Sequence, residues 1–83
     1  MLQAAQIRAA RALLGWRQQD LAKAAKTGLA TVARIEQMDG LAQGHVATIL
    51  RIQSSLTHAG IGFLENEDGS FGVLLQKRRR TKP

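Results

Sequence analysis

Along the first sixty positions, apolar residues recur at helical rather than strand intervals. Ile7, Ala10 and Leu14 form one stripe, Arg8 and Arg11 fall on a neighbouring face, and Gly15 follows as a stop. That pattern predicts a first helix from about residue 2 or 4 to residue 14. Leu21, Ala22 and Ala25 predict a second, shorter helix over about residues 18–25. Val32 and Ile35 predict a third over about residues 29–37, separated from the second by the break Lys26-Thr27-Gly28. Met38-Asp39-Gly40 is a turn signal and residues 41–44 read as a loop. A fourth helix is expected over about residues 45–58, with Val46, Ile49, Leu50 and Leu56 on its apolar face, Ile52 beside them, and Gly60 ending it. Trp16, in the first connection, is the kind of residue that plugs the base of a small core.

After Gly60 the period changes from 3.6 to 2. IGFLENEDGSFGVLLQ carries β-branched and aromatic residues on both sides of Asp68-Gly69, a dipeptide favoured in two-residue type I′ turns. The expected strands cover about residues 61–65 and 71–76, and Gly62 and Gly72 within them suggest a bulge or a close backbone approach. The fold class expected is therefore mainly α, four helices followed by a C-terminal β-hairpin.

An 83-residue chain builds one small core, and without cysteine it has no disulfide or thiolate metal site to reinforce it. Met1 leads into a polar amphipathic helix rather than a secretory leader, and no apolar run approaches the length of a membrane span, so a cytoplasmic location is expected. The net charge of +6 is uneven. Seven basic and three acidic residues precede position 61, whereas residues 61–76 hold only Glu65, Glu67 and Asp68, and residues 77–83 hold five bases and no acid. A basic body and basic tail suit a polyanionic partner, although a basic run alone serves equally well to keep a chain soluble.

The stretch LGWRQQDLAKAAKTGLATVARIE, from Leu14 to Glu36, resembles the helix-turn-helix of the phage Cro and lambda-repressor type, the XRE-like family. Gln18 matches that family's polar first-turn residue, Leu21-Ala22 its buried pair, and Thr31-Val32 with Arg34-Ile35-Glu36 the run that ends its second helix. Arg17, Lys26 and Gly28 depart from the usual Ser or Thr, Gly and Ser, at two helix N-caps and one left-handed C-cap, each worth about 1 kcal/mol. The resemblance implies a four-helix DNA-binding body over residues 1–60. The hairpin, residues 61–76, follows as a dimerisation element, and residues 77–83 as a basic tail. The hairpin's likeness to those that follow such domains in small bacterial regulators is looser than that of the motif.

With Val32 and Ile35 turned inward, Leu29, Ala30, Ala33 and Arg34 are the candidate base readers. Arg34 suits a bidentate bond to guanine, and Leu29 and Ala30 suit thymine methyls; a merely solvated Arg34 is the competing reading. Gln18, Arg17, Lys26 and Thr31 are candidate phosphate contacts, joined by Lys77, Arg78, Arg79 and Arg80 of the tail, whereas Thr31 serves equally as a local cap. Arg8, Arg11 and Arg51 read as solvated helix faces, and Glu36 as a structural carboxylate paired within the domain. Ile61, Phe63, Leu64, Phe71, Val73 and Leu75 are the candidate homodimer contact, because an isolated hairpin with so much apolar surface needs a second surface.

His45 and His58 lack partners for a metal site, no cofactor is implied, and no phosphate loop or nucleophile with its base points to an enzyme. The expected function is a sequence-specific regulator of double-stranded DNA, a nucleoid-associated homodimeric repressor on a palindromic operator. The competing class is a protein-interaction module, an anti-activator or adaptor that keeps the fold and holds a protein partner through the hydrophobic hairpin.

Overall fold

The computed structural model describes residues 2–76. Four helices, α1 (Ala4–Leu14), α2 (Gln18–Ala25), α3 (Leu29–Glu36) and α4 (Val46–His58), precede two antiparallel strands, β1 (Ile61–Glu65) and β2 (Phe71–Leu75). Among the described residues no helix is long and apolar enough to cross a membrane.

Each early boundary has a local cause. Gly15 turns left-handed (φ 69°), and the Trp16 N–H reaches back to the Arg11 carbonyl at 3.0 Å, closing α1 in a Schellman turn. α2 ends the same way, with the Thr27 N–H on the Ala22 carbonyl at 3.0 Å, but its left-handed residue is Lys26 (φ 56°), the one described non-glycine residue with positive φ. At the other end of α2 the missing Ser or Thr cap is replaced in part. Asp20 folds back to accept the Arg17 N–H at 2.7 Å, one half of a capping box.

The core is continuous from the helices into the hairpin. Ile7, Leu21, Val32, Ile35, Ile52, Leu56 and Ile61 are buried together, and Leu14, Trp16, Ile49, Phe63 and Val73 pack against them. On α4 the buried residues are Ile52 and Leu56, while Val46 and Leu50, expected on the apolar face, remain 72% and 57% exposed. The 41–44 segment is also more ordered than a plain loop. Leu2 and Ala4 flank it in a short antiparallel bridge, Ala4 N–H to Gly40 O and Ala42 N–H to Leu2 O, both 2.9 Å.

The hairpin pairs in unbroken register from Ile61 with Leu75 to Glu65 with Phe71, so neither strand glycine makes a bulge. Gly62 instead meets Leu74, whose Cδ1 would lie 3.3 Å from an added Cβ. The tip is not a two-residue type I′ turn. That turn needs positive φ at Asp68 as well as Gly69, and only Gly69 has it. The loop is three residues, 67–69, between Asn66 and Ser70, whose N–H and C=O join at 2.8 Å. Asp68 Oδ1 accepts from the Ser70 hydroxyl (2.6 Å) and N–H (2.9 Å), which favours that loop and holds the carboxyl below the usual carboxylate range.

Gln6 fastens the hairpin to α1. Its buried amide nitrogen donates to the Leu64 and Gly72 carbonyls at 3.1 and 2.9 Å, one on each strand of a facing pair, while its oxygen accepts the Gln3 N–H. No feature of the sequence pattern had singled it out.

The left-handed Lys26 carries backbone strain that glycine would relieve. Lys26→Gly is expected to stabilise the fold by about 1 kcal/mol, after allowing for glycine's freer unfolded chain. The check is a urea titration whose midpoint rises at constant slope.

Candidate nucleic-acid interface

α2 and α3 pack on one another across the Lys26-Thr27-Gly28 turn, and a buried carboxylate fixes how α3 is rotated. Glu36, 3% exposed at the end of α3, receives Arg11 in a two-pronged ion pair, Nε to Oε2 at 2.8 Å and Nη2 to Oε1 at 3.0 Å. Gln18 Nε2 of α2 donates to the same Oε1 at 3.1 Å. The remaining Arg11 nitrogen, Nη1, bonds the Trp16 carbonyl at 2.8 Å, and Arg8 Nη1 donates to the Glu36 main-chain carbonyl. One carboxylate thus joins α1, the connection after it, α2 and α3. Glu36 has the internal role expected of it, but Arg8 and Arg11 are not simply solvated.

Arg51 also departs from that reading. Its Nε donates to the Ala25 carbonyl at 3.0 Å, so a cation closes the C-terminal end of α2, where the helix dipole favours positive charge.

With Val32, Ile35 and Glu36 inward, the rest of α3 faces away from the core. At about 100° per residue, Leu29, Ala33, Ala30 and Arg34 fall within an arc of about 140°. Leu29 is 48% exposed, Ala30 and Arg34 are exposed, and Ala33 is half-buried rather than fully free. Gln37, which caps the helix in right-handed conformation, falls within the same arc and is exposed. The expected helix reaches residue 37, but its outward positions were counted only as far as Arg34; applying the same projection to its last residue finds Gln37.

The expected phosphate contacts differ in their freedom. Arg17 and Lys26 stand exposed at the two ends of α2, and Lys23 is exposed between them. Among the described residues, none of these three side chains, nor that of Arg34, forms an ion pair, although Asp20 of α2 accepts from the Arg17 main-chain N–H. Thr31 is half-buried. Gln18 is half-buried with its amide nitrogen on Glu36, although an amide nitrogen carries two hydrogens and the second remains for another acceptor. Lys77, Arg78, Arg79 and Arg80 lie outside the described residues.

The candidate dimer contact is smaller and shifted. Ile61 is 2% exposed and belongs to the core, so it is withdrawn from that surface, and Phe63 and Val73 are half-buried against the same core. Strand alternation sends one face of the hairpin onto the helices, and these three residues lie on it. Four apolar side chains remain exposed: Leu64 and Leu74 on the opposite face, and Phe71 and Leu75 at the margins of the helix-facing one, of which Leu74 was not among the expected contacts.

Elsewhere an apolar surface groove of about 400 Å³ runs between the 41–44 segment and α4, lined by Leu2, Ala42, Val46, Ile49 and Leu50 among others. No acid, base or nucleophile for chemistry lines it. Among the described residues, no group of three or more His, Cys, Asp and Glu side chains is placed to hold a metal ion. Comparison with known proteins finds no matching family model, no matching curated protein and no matching solved structure.

Glu36→Gln keeps the shape but removes the charge that balances Arg11. It is expected to cost about 3–5 kcal/mol, the range for breaking a buried pair on one side. Replacing both partners by apolar residues, Arg11→Met with Glu36→Leu, is expected to cost less than the single change. Thermal unfolding of the two variants against the parent chain checks the order.

Proposed function

We propose that the chain is a helix-turn-helix protein of the XRE-like kind that binds specific sites on double-stranded DNA and regulates transcription. The observation that carries this reading is α3, fixed through Glu36 at the margin of its buried side and offering Leu29, Ala30, Ala33, Arg34 and Gln37 on its outer side. An exposed helix face about 12 Å across with its side chains fits the major groove. Arg17, Lys23 and Lys26 outweigh the single acid of that helix, Asp20, and leave a net positive charge beside α3, which suits phosphate. The basic residues of the tail add to this by charge alone.

A regulator of this build occludes a promoter most simply as a homodimer on a palindromic operator, within the nucleoid. Leu64, Phe71, Leu74 and Leu75 support the dimer, since solvent contact at four large side chains on so small a hairpin is costly. The same exposed residues favour the second reading, an adaptor that holds a protein partner. Selection of bound sequences from a random DNA pool by the full chain, followed by mobility shifts at moderate salt, separates the two.

On the selected sequence, Arg34→Ala is expected to cost about 1–3 kcal/mol and to relax preference at one base pair, with affinity for random DNA nearly unchanged. Equal losses on both DNAs would make Arg34 a phosphate ligand. For the dimer, Phe71→Asp with Leu75→Asp should leave the helical signal intact and give a monomer by sedimentation, with cooperative operator binding lost. A dimer that survives this change would move the contact to α4, around Val46 and Leu50.

A further inference from the structure

We infer that the outer face of α3 selects its DNA chiefly by 5-methyl groups, so that the bound half-site holds thymines beside a single guanine taken by Arg34. This rests on the DNA-binding reading and specifies what that surface recognises. Of the five outward residues, Leu29, Ala30 and Ala33 are apolar and the two polar ones, Arg34 and Gln37, lie toward the helix end; Leu29 is the largest apolar side chain that α3 leaves exposed, at 48%.

The major-groove edges of the four base pairs present hydrogen-bond donors and acceptors, with one apolar exception, the thymine methyl. An apolar side chain set against an amino group or carbonyl strips it of water and returns no bond, which is penalised. Against a methyl it removes two apolar surfaces from water at once. The face therefore selects in both directions, rewarding thymine and disfavouring cytosine and adenine amino groups at the same places.

The helix also fixes the spacing. Leu29 and Ala33 are one turn apart, about 6 Å along the axis, and Arg34 lies about 7.5 Å from Leu29. Base pairs rise about 3.4 Å, so the methyl contacts and the guanine fall within about two base pairs of one another. α3 cannot turn about its axis to present another set, because Val32 and Ile35 are buried on its inner side and Arg11 and Gln18 hold Glu36 at the edge between the two sides.

The test begins with the full chain and the sequence it selects from the random pool. Each thymine of the half-site is replaced in turn by deoxyuridine, which keeps every hydrogen-bonding group and removes only the methyl. Affinity should fall about fourfold for each contacted methyl, the equivalent of one buried carbon. Leu29→Ala should bring the thymine-to-uracil ratio toward one at one position, and Ala30→Ser, a small change at an exposed site, should do so at a neighbouring position. Arg34→Ala should leave those ratios unchanged. Ratios of one at every thymine on a well-bound, selected site would overturn the inference and leave the DNA-binding reading standing. Uracil effects that persist undiminished in both variants would overturn it too, by assigning the methyls to DNA shape. If no sequence is selected and no DNA is shifted, the DNA-binding reading itself falls.

Discussion

A carboxylate withdrawn from water must be surrounded by donors, and Glu36 organises the helical body because it can be satisfied in only one arrangement. Burying such a group costs several kcal/mol, which is offset only by good geometry and by filling its remaining lone pairs. Arg11 supplies two bonds in one plane and Gln18 a third. Since those donors come from α1 and α2, both helices must be seated before the acid of α3 is neutral to its surroundings. Apolar packing by Val32 and Ile35 tolerates a range of rotations of α3; the planar guanidinium does not. The direction in which Leu29, Ala30 and Arg34 point is thus set by an ion pair at the border between the buried and outer sides of the helix.

Local signals account for the parts of the fold that sequence reading reached. Gly15 and the Lys26-Thr27-Gly28 break act within one turn of chain, and helices α1, α2 and α3 lie within about a residue of where periodicity puts them. Where two elements compete for the same apolar residues, pattern fails. α4 has five large apolar side chains, more than one stripe holds, and only its packing selects Ile52 and Leu56 over Val46 and Leu50. The hairpin is apolar on both faces, so alternation could not tell that Ile61 belongs inside. At its tip, Asp68-Gly69 fits two loop lengths equally, and the bonds from Ser70 to Asp68 decide for the longer one.

The candidate site was legible in outline for a related reason. Outward positions of a short helix follow from which residues must be buried, so Leu29, Ala30 and Arg34 could be named in advance. The partners of long side chains could not. Arg8, Arg11 and Arg51 each carry a charge across to another element, to Glu36 twice and to the Ala25 carbonyl once. A guanidinium on a three-carbon stem reaches well beyond its own helix face, and nothing in its spacing says whether it meets water or a neighbour. Gln6 illustrates the same limit for an uncharged group.

The bridge that Gln6 makes to both hairpin strands spans 58 and 66 residues of chain. During synthesis at about 5–20 residues per second, α1 leaves the ribosome several seconds before the carbonyls that its amide will meet. Until then the glutamine and the neighbouring Ile7 surface stay open, and the helices form a body without its covering sheet. Completion of the core is therefore a late event in the life of the nascent chain, timed by translation rather than by the intrinsic speed of helix formation.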